Sequence, residues 1–155
     1  GVSYEPTDAY RRRVLDLVAA RAEWLTLHEN VDRQALCQLM AAHRYGLHGS
    51  ADEGFGMAVA ELVRAGAITF VPNGGGQVEI VAGDPRLVYR TAEEAAARLA
   101  AVMRDADQQA ALRAALAPQR ERFTSERFVA EFRRLALGAP PAGSSGGAAL
   151  SRAGW

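Results

Sequence analysis

At 155 residues the chain is long enough for one domain with a hydrophobic core, and 49% of its residues are apolar, as in an ordinary globular protein. Its 18 basic and 18 acidic residues give a formal net charge of zero, which argues against a broad electrostatic attraction to nucleic acid or anionic lipid. No apolar run approaches the length of about 18 residues that a transmembrane helix requires.

The cysteine content predicts a reducing compartment. Cys37 is the single cysteine, so an intrachain disulfide cannot form, and we expect a cytoplasmic protein. The apolar helical stretch around Cys37 predicts a buried, unreactive thiol.

The first part of the chain predicts two helices separated by a strand. Pro6–Arg21 has the pattern of a helix, with Thr7 as its N-cap. Trp24–Leu27 is apolar and predicts a strand. Asp32–His43 predicts the second helix, which starts at Asp32.

The middle of the chain predicts strands that alternate with helices. We expect a buried strand at Tyr45–His48, a helix at Gly54–Ala65 and a strand at Ala67–Val71. A short helix over Gly76–Val81 and a short strand over Arg86–Tyr89 follow.

The remainder predicts helices and a tail. Thr91 opens a helix with a capping-box pattern, and helices over Ala106–Arg122 and Ser125–Leu137 follow. Residues 138–155 are rich in Gly, Pro, Ser and Ala and predict a flexible tail. The predicted organisation is therefore one domain over residues 1–137 and a tail.

Alternating strands and helices predict an α/β fold with a parallel sheet and helices on both faces. Ligands of such sheets bind beyond the carboxyl ends of the strands. Asn30, Gly49–Glu53 and Asn73–Gly76 all follow predicted strand ends, so these loops should converge on one edge of the sheet.

Two glutamates bracket a glycine-rich helix start. Gly54 and Gly56 are expected in the first helical turn, where free backbone N–H groups and the helix dipole favour a phosphate. If Glu53 and Glu61 share that helix, they lie roughly 12 Å apart along its axis. Glycosidase carboxylates lie only about 5–9.5 Å apart, so the pair suits a long ligand such as a nucleotide sugar. The alternative is a dipole-favouring Glu53 and a solvated Glu61.

An ordered series of motifs extends beyond this pair. Glu53-Gly54-Phe55-Gly56 is followed by Glu61-Leu62-Val63-Arg64-Ala65-Gly66 and then by Gly75-Gly76-Gln77-Val78-Glu79-Ile80-Val81. With the flanking Trp24–Asp32 and Phe123–Phe128, this series resembles the C-terminal, donor-binding half of retaining GT-B glycosyltransferases of family 4, over roughly residues 4–137.

The resemblance implies a Rossmann-like domain that binds a nucleoside diphosphate sugar. Glu53 would be the catalytic-site residue that holds hydroxyls of the transferred sugar, and Glu61 would accept hydrogen bonds from the ribose hydroxyls. The family transfers sugar to an acceptor hydroxyl with retention, and neither a metal nor another cofactor is implied. Further donor-binding residues would be Gly54, Phe55, Gly56, Met57, Asn30, Val31, Ser50, Gly75 and Gly76.

The chain also departs from the family pattern. The chain has no lysine, and the basic pair that neutralises the diphosphate in the family has no counterpart. The N-terminal Rossmann-like domain that binds the acceptor would be a missing partner, so the chain alone is expected to be inactive. The alternative is a non-catalytic nucleotide-sugar-binding module or one half of a split enzyme.

Other candidate sites have weaker support. His28, His43 and His48 lack zinc-ligand spacing, so no metal site is predicted. His48 ends the strand before the motif and is either a structural histidine or a donor to a phosphate or acceptor hydroxyl. Gly74–Gly76 does not form a dinucleotide fingerprint, which argues against NAD binding.

Overall fold

The computed structural model describes residues 8–138. Within that range the chain forms seven helices and three strands. The helices are α1 (Asp8–Ala19), α2 (Arg33–Ala42), α3 (Met57–Ala65), α4 (Gln77–Ile80), α5 (Ala92–Arg104), α6 (Ala106–Arg122) and α7 (Ser125–Ala136). The strands are β1 (Tyr45–Leu47), β2 (Ile68–Pro72) and β3 (Val88–Tyr89). The predicted N-cap Thr7 and the tail after Gly138 lie outside the described residues.

The backbone packs into two compact units, one up to Leu36 and one from Cys37 onwards. The first unit contains α1, whose arginines at 11–13 are exposed, as expected for a solvated face. Arg11 Nη2 lies 3.3 Å from Glu29 Oε2, and both side chains are about half exposed. An exposed ion pair of this kind adds little stability.

The predicted strand at Trp24–Leu27 is wrong. The backbone there continues from α1 into turns, in which the amides of Trp24 and Leu25 both donate to the Arg21 carbonyl, at 3.1 and 2.9 Å. Amides that bond locally cannot join a sheet ladder, and strand propensity is realised only where a neighbouring strand is available. The apolar run was therefore a weak indicator of a strand.

The start of α2 is confirmed, whereas the environment of its cysteine is not. Asp32 Oδ1 accepts a hydrogen bond of 2.8 Å from the Ala35 amide, as an N-cap carboxylate does. Cys37 is exposed, so the predicted buried thiol is wrong. The reason is that α2 has no buried residue, so its apolar composition does not place Cys37 in a core.

The second unit contains a small parallel sheet with the strand order β1-β2-β3. Gly46 pairs with Thr69, and Val71 pairs with Val88. The helix α3 connects β1 to β2 and α4 connects β2 to β3, because parallel neighbours need a crossover rather than a hairpin. The protein is therefore a mixed α/β protein with a parallel sheet.

The central strand β2 organises the core. All five residues of β2 are buried, which is typical of a parallel strand with apolar neighbours on both faces. Phe70 of β2 packs in one cluster with Val59 and Val63 of α3 and with Leu112 of α6. The carboxyl ends of β1 and β2 are consequently fixed side by side, and the loops that leave them start from a rigid base.

The predicted C-terminal helices are confirmed, and so is Thr91 as the cap of the first of them. Thr91 Oγ1 accepts from the Glu94 amide at 3.2 Å, and Asp105 and Thr124 cap α6 and α7 in the same way. None of the helices in the described range combines the length and apolar character needed to cross a membrane.

A core truncation should separate buried from exposed leucines. We expect Leu112→Ala to lower the free energy of unfolding by about 2–5 kcal/mol, because Leu112 is fully buried and its loss leaves a cavity. Leu137→Ala is the matched control, since Leu137 is 83% exposed and its loss should change stability by no more than about 0.5 kcal/mol. Urea denaturation measures both, and equal losses would contradict this assignment of the core.

Candidate functional site

The loop between β1 and α3 is closed by its own glutamate. Glu53 Oε1 accepts a hydrogen bond of 3.1 Å from the Gly56 amide. Gly56 has a left-handed φ of 93° and is the N-cap of α3, which begins at Met57. Left-handed backbone is readily adopted by glycine and is strained for most other residues. Glu53 therefore lies at the start of α3, where the helix dipole favours a carboxylate.

This geometry corrects the predicted helix boundary. Gly54 and Gly56 were expected in the first turn of a helix that starts at Gly54, but both precede α3. The positive φ of Gly56 is incompatible with an α-helical residue. Glu53 and Glu61 consequently do not share a helix, and the separation calculated for two helical residues does not apply. The Gly56 amide is also already bonded to Glu53 rather than open to an anion.

The glycine loop after β2 packs directly on the Glu53 loop. The Gly76 amide lies 3.3 Å from the Glu53 carbonyl oxygen and 3.2 Å from that of Gly54. A Cβ atom added at Gly75 would lie only 1.9 Å from the Glu53 carbonyl oxygen, and one at Gly74 would lie 2.9 Å from that of Ala51. The two backbones approach so closely that only glycine fits. The structure thus brings together two of the three loops that the sequence placed at one sheet edge.

A buried glutamine fastens the same two loops. Gln77 is fully buried at the start of α4, and its Nε2 donates to the Ser50 carbonyl oxygen at 2.9 Å. Its Oε1 is buried and has no hydrogen-bond partner within the described residues. A buried polar atom without a partner is unfavourable in a folded protein and marks a position open to a donor. Ser50 itself is exposed.

His48 lies beside the Glu53 carboxylate. The distance from His48 Nε2 to Glu53 Oε2 is 3.6 Å, slightly longer than a hydrogen bond, and the two side chains are 17% and 32% exposed. Nε2 is buried and has no hydrogen-bond partner within the described part of the chain. The imidazole and the carboxylate therefore lie side by side at the same point of the loop.

Tyr89 holds the backbone of His48 in place. Its hydroxyl donates to the His48 carbonyl oxygen, so that β3 is tied to the end of β1 across the sheet. Burial of the ring raises the pKa of Tyr89 above its usual value, so the hydroxyl keeps its proton and remains a donor at neutral pH.

The aromatic residue of the motif faces a groove. The rings of Phe55 and Phe123 meet edge to face, with centroids 5.5 Å apart. The Arg122 guanidinium lies 5.4 Å from the centroid of the Phe123 ring. Phe55, Phe123 and Arg122 line a groove of about 750 Å³ that continues along the start of α7. Phe55 is half exposed, so it contributes to this surface rather than to the core.

The remaining candidate residues occupy three different environments. Glu61 is half-buried on α3, about one and a half turns beyond Gly56. Met57 begins α3 and is largely exposed. Asn30 and Val31 belong to the unit that ends at Leu36, and Asn30 has a left-handed φ of 52°. The structure therefore groups Glu53–Gly56 with Gly74–Gly76.

The sequence pointed to the glycines but missed the side chains that fasten them. Gln77 and Tyr89 were assigned to a helix and a strand without a role in the site. Gln77 directly follows three glycines and is the first residue of α4, and that position was the available signal. For Tyr89 no signal existed, because its contact with His48 joins residues 41 positions apart.

The comparisons with known proteins add no family assignment. Neither the models of known protein families nor the curated proteins match this chain. Among residues 8–138, no group of three or more His, Cys, Asp or Glu side chains is arranged to hold a metal ion.

The close approach at Gly75 predicts a specific sensitivity. Gly75 and Gly83 have nearly the same left-handed φ, 66° and 64°, but a Cβ at Gly83 meets no atom within 4 Å. We expect Gly83→Ala to lower stability by about 1–2 kcal/mol through the backbone conformation alone. Gly75→Ala should lower it by a further 1–3 kcal/mol or so, because the methyl group collides with the Glu53 loop. Urea denaturation of both variants measures the difference, and equal losses would mean that the loops do not pack as described.

Proposed function

We propose that this chain is the donor-binding domain of a retaining GT-B glycosyltransferase of family 4, which transfers a sugar from a nucleoside diphosphate sugar to an acceptor hydroxyl. The observation that carries the proposal is the packing of Gly75 and Gly76 against Glu53 and Gly54. Two motifs that lie about twenty residues apart in the sequence, and whose order resembles that family, meet at the carboxyl ends of adjacent parallel strands. That edge is where α/β sheets bind ligands.

The proposed fold is a Rossmann-like domain, in which the small sheet would form one part of a larger sheet. The strand order β1-β2-β3, with helical crossovers between parallel neighbours, is compatible with one side of a doubly wound sheet. In a GT-B enzyme the reaction takes place between two such domains, and the proposal concerns the donor half. A polypeptide with the acceptor half would be the partner.

Glu53 is proposed to hold hydroxyl groups of the transferred sugar. Its Oε1 already accepts a hydrogen bond from the Gly56 amide, while Oε2 lies beside His48. The Glu53 side chain as a whole is one third exposed. A carboxylate has more acceptor positions than these contacts use, so it can accept from sugar hydroxyls as well. Hydrogen bonds to a charged acceptor are about twice as strong as neutral ones, which suits Glu53 to orienting a sugar.

The diphosphate needs positive charge that the chain does not supply as lysine. The start of α3 and the His48 imidazole are the polar groups that the described structure places next to Glu53. Because Glu53 already holds the Gly56 amide, stabilisation of the departing diphosphate would come from the other backbone amides of the first turn of α3. Glu61, on the same helix, is proposed to accept hydrogen bonds from the ribose hydroxyls.

Nucleotide titration tests the proposal directly. We expect one of UDP, GDP and ADP to bind the chain in isothermal titration calorimetry, and Glu61→Ala to weaken that binding by about 10- to 100-fold, because two hydrogen bonds to a charged acceptor are lost. Glu121→Ala is the control, since it removes an exposed glutamate from α6 and should leave affinity unchanged. Binding of none of the three nucleotides, or equal affinities of wild type and Glu61→Ala, would contradict the proposal.

A second variant assigns the two ends of the ligand. Glu53→Gln keeps an acceptor for the Gly56 amide but removes the charge. If Glu53 contacts the sugar, this variant should weaken binding of the nucleotide sugar and leave the affinity for the free nucleoside diphosphate nearly unchanged. If the variant weakened the binding of both ligands equally, Glu53 would be placed at the nucleotide instead.

A further inference from the structure

The histidine directly after β1 has its backbone held on two sides. The His48 amide donates to the Phe70 carbonyl oxygen at 2.9 Å, which continues the pairing of β1 with β2 by one residue. The His48 carbonyl oxygen accepts from the Tyr89 hydroxyl of β3. Phe70 and Tyr89 are both buried in the core. The position of His48 is consequently set by the sheet and not by the loop that follows it.

The imidazole of His48 has a buried nitrogen that faces a carboxylate. Its Nε2 has no hydrogen-bond partner within the described residues and lies 3.6 Å from Glu53 Oε2. The neighbouring negative charge favours a proton on Nε2, because a bare lone pair there would be repelled by the carboxylate. A buried N–H without an acceptor is unfavourable. A displacement of roughly half an ångström would bring Nε2 and Oε2 within hydrogen-bond distance.

The Glu53 carboxylate is anchored at one oxygen. Its Oε1 accepts from the Gly56 amide at 3.1 Å. One hydrogen bond fixes the position of that oxygen but leaves the plane of the carboxylate free to turn, and a glutamate side chain loses considerable rotamer freedom when it is held in one geometry. A second contact at Oε2 would fix the plane as well. Residues that lock the rotamer of a binding group in this way determine how precisely it meets a ligand.

The loop itself offers one side chain that can carry a positive charge towards Glu53. Residues 48–56 contain no lysine or arginine, so His48 is the basic residue of this loop. Arg122 is engaged with Glu79, and Asp52 is exposed and acidic. A hydrogen bond from a charged or strongly polar donor to a carboxylate is stronger than one between neutral groups. His48 is therefore the residue of the loop that is suited to hold Oε2.

A histidine with a purely structural role makes a different set of contacts. His43 provides the comparison, since its Nδ1 lies 2.6 Å from the Leu39 carbonyl oxygen of the same helix. That ring nitrogen is satisfied by the backbone next to it. The Nε2 atom of His48 is buried without such a partner and is directed at a side chain of the candidate site. This difference argues for a role of His48 in the site rather than in the stability of the loop alone.

We propose that His48 is the positioning residue of Glu53. With its proton on Nε2, the imidazole holds Oε2 while the Gly56 amide holds Oε1, so that the carboxylate meets the sugar hydroxyls in one fixed orientation. His48 acts through Glu53 and does not itself contact the ligand. The role in ligand binding rests on the proposed function, whereas the contact between His48 and Glu53 is a property of the chain without ligand.

Amide hydrogen exchange of the full chain without ligand, resolved by NMR, tests the contact. The Gly56 amide reports on the Glu53 carboxylate because it donates to Oε1. His48→Phe should make this amide exchange about tenfold faster, since the carboxylate loses its second anchor. His48→Gln should restore most of the protection, because its side-chain amide places an N–H near the position of Nε2. The Gln108 amide, which donates to the Asp105 carboxylate at 2.9 Å on α6, is the matched control and should exchange at the same rate in all variants.

Calorimetric titration tests the role in binding. The probes are UDP-glucose, GDP-mannose and ADP-glucose, each compared with its free nucleoside diphosphate. We expect His48→Phe to weaken binding of the nucleotide sugar by about tenfold and to leave the affinity for the nucleoside diphosphate unchanged. The double variant Glu53→Gln with His48→Phe should bind no more weakly than Glu53→Gln alone, because two residues that act as one unit give non-additive losses.

The two experiments separate this proposal from the proposed function. Unchanged exchange of the Gly56 amide in His48→Phe, or equally faster exchange of the Gly56 and Gln108 amides, would overturn the positioning role whatever the chain binds. Additive losses in the double variant, or a weaker affinity of His48→Phe for the nucleoside diphosphate itself, would show that His48 contacts the ligand directly and would overturn it as well. If the wild type binds none of the nucleotide sugars, the proposed function fails, and hydrogen exchange alone decides whether His48 positions Glu53.

Discussion

The candidate site depends on the contact between two stretches of backbone that have no side chains between them. Gly75 and Gly76 lie against the carbonyl groups of Glu53 and Gly54, so the loop after β2 fixes the shape of the loop after β1. The parallel pairing of β1 with β2 sets the starting points of both loops. Gln77 joins the loops a second time, through its hydrogen bond to the Ser50 carbonyl oxygen. The position of the Glu53 carboxylate therefore follows from the sheet through hydrogen bonds and close packing, and a methyl group at Gly75 would disturb it.

The sequence was sufficient for the order of elements from Tyr45 to Leu137, because local signals mark each of them. Apolar and helix-forming residues indicated the helices, β-branched residues marked β2, and Thr91 marked the start of α5. The sequence was not sufficient where the local structure depends on partners far along the chain. Trp24–Leu27 has the composition of a strand, but the amides of Trp24 and Leu25 bond within turns. The site divides in the same way, since the glycine motifs are visible in the sequence, whereas the contacts of Gln77 and Tyr89 exist only after folding.

The one error inside the motif is informative about glycine. Gly54 and Gly56 look like the first turn of a helix because good helix formers follow them, yet α3 begins only at Met57. The left-handed φ of Gly56 turns the chain so that the Glu53 side chain reaches back to the Gly56 amide. Glycine is needed there for its conformation and for its size, because a Cβ would lie 3.2 Å from atoms of Gln77 and Ile80. Neither the conformation nor the size of this glycine is reflected in helix propensity.

The hydrogen bond between Glu53 and the Gly56 amide also makes the site able to distinguish the two ends of a ligand. A helix start that is open attracts any anion, but the start of α3 already carries a negative charge of its own. A phosphate that approached this carboxylate would be repelled, whereas a neutral polyol would find an acceptor there. A ligand that carries both a polyol and a phosphate would consequently bind with its polyol end at Glu53 and its phosphate end away from it. The orientation of the bound molecule would then be decided by electrostatic exclusion at Glu53, before any attractive contact at its other end is complete.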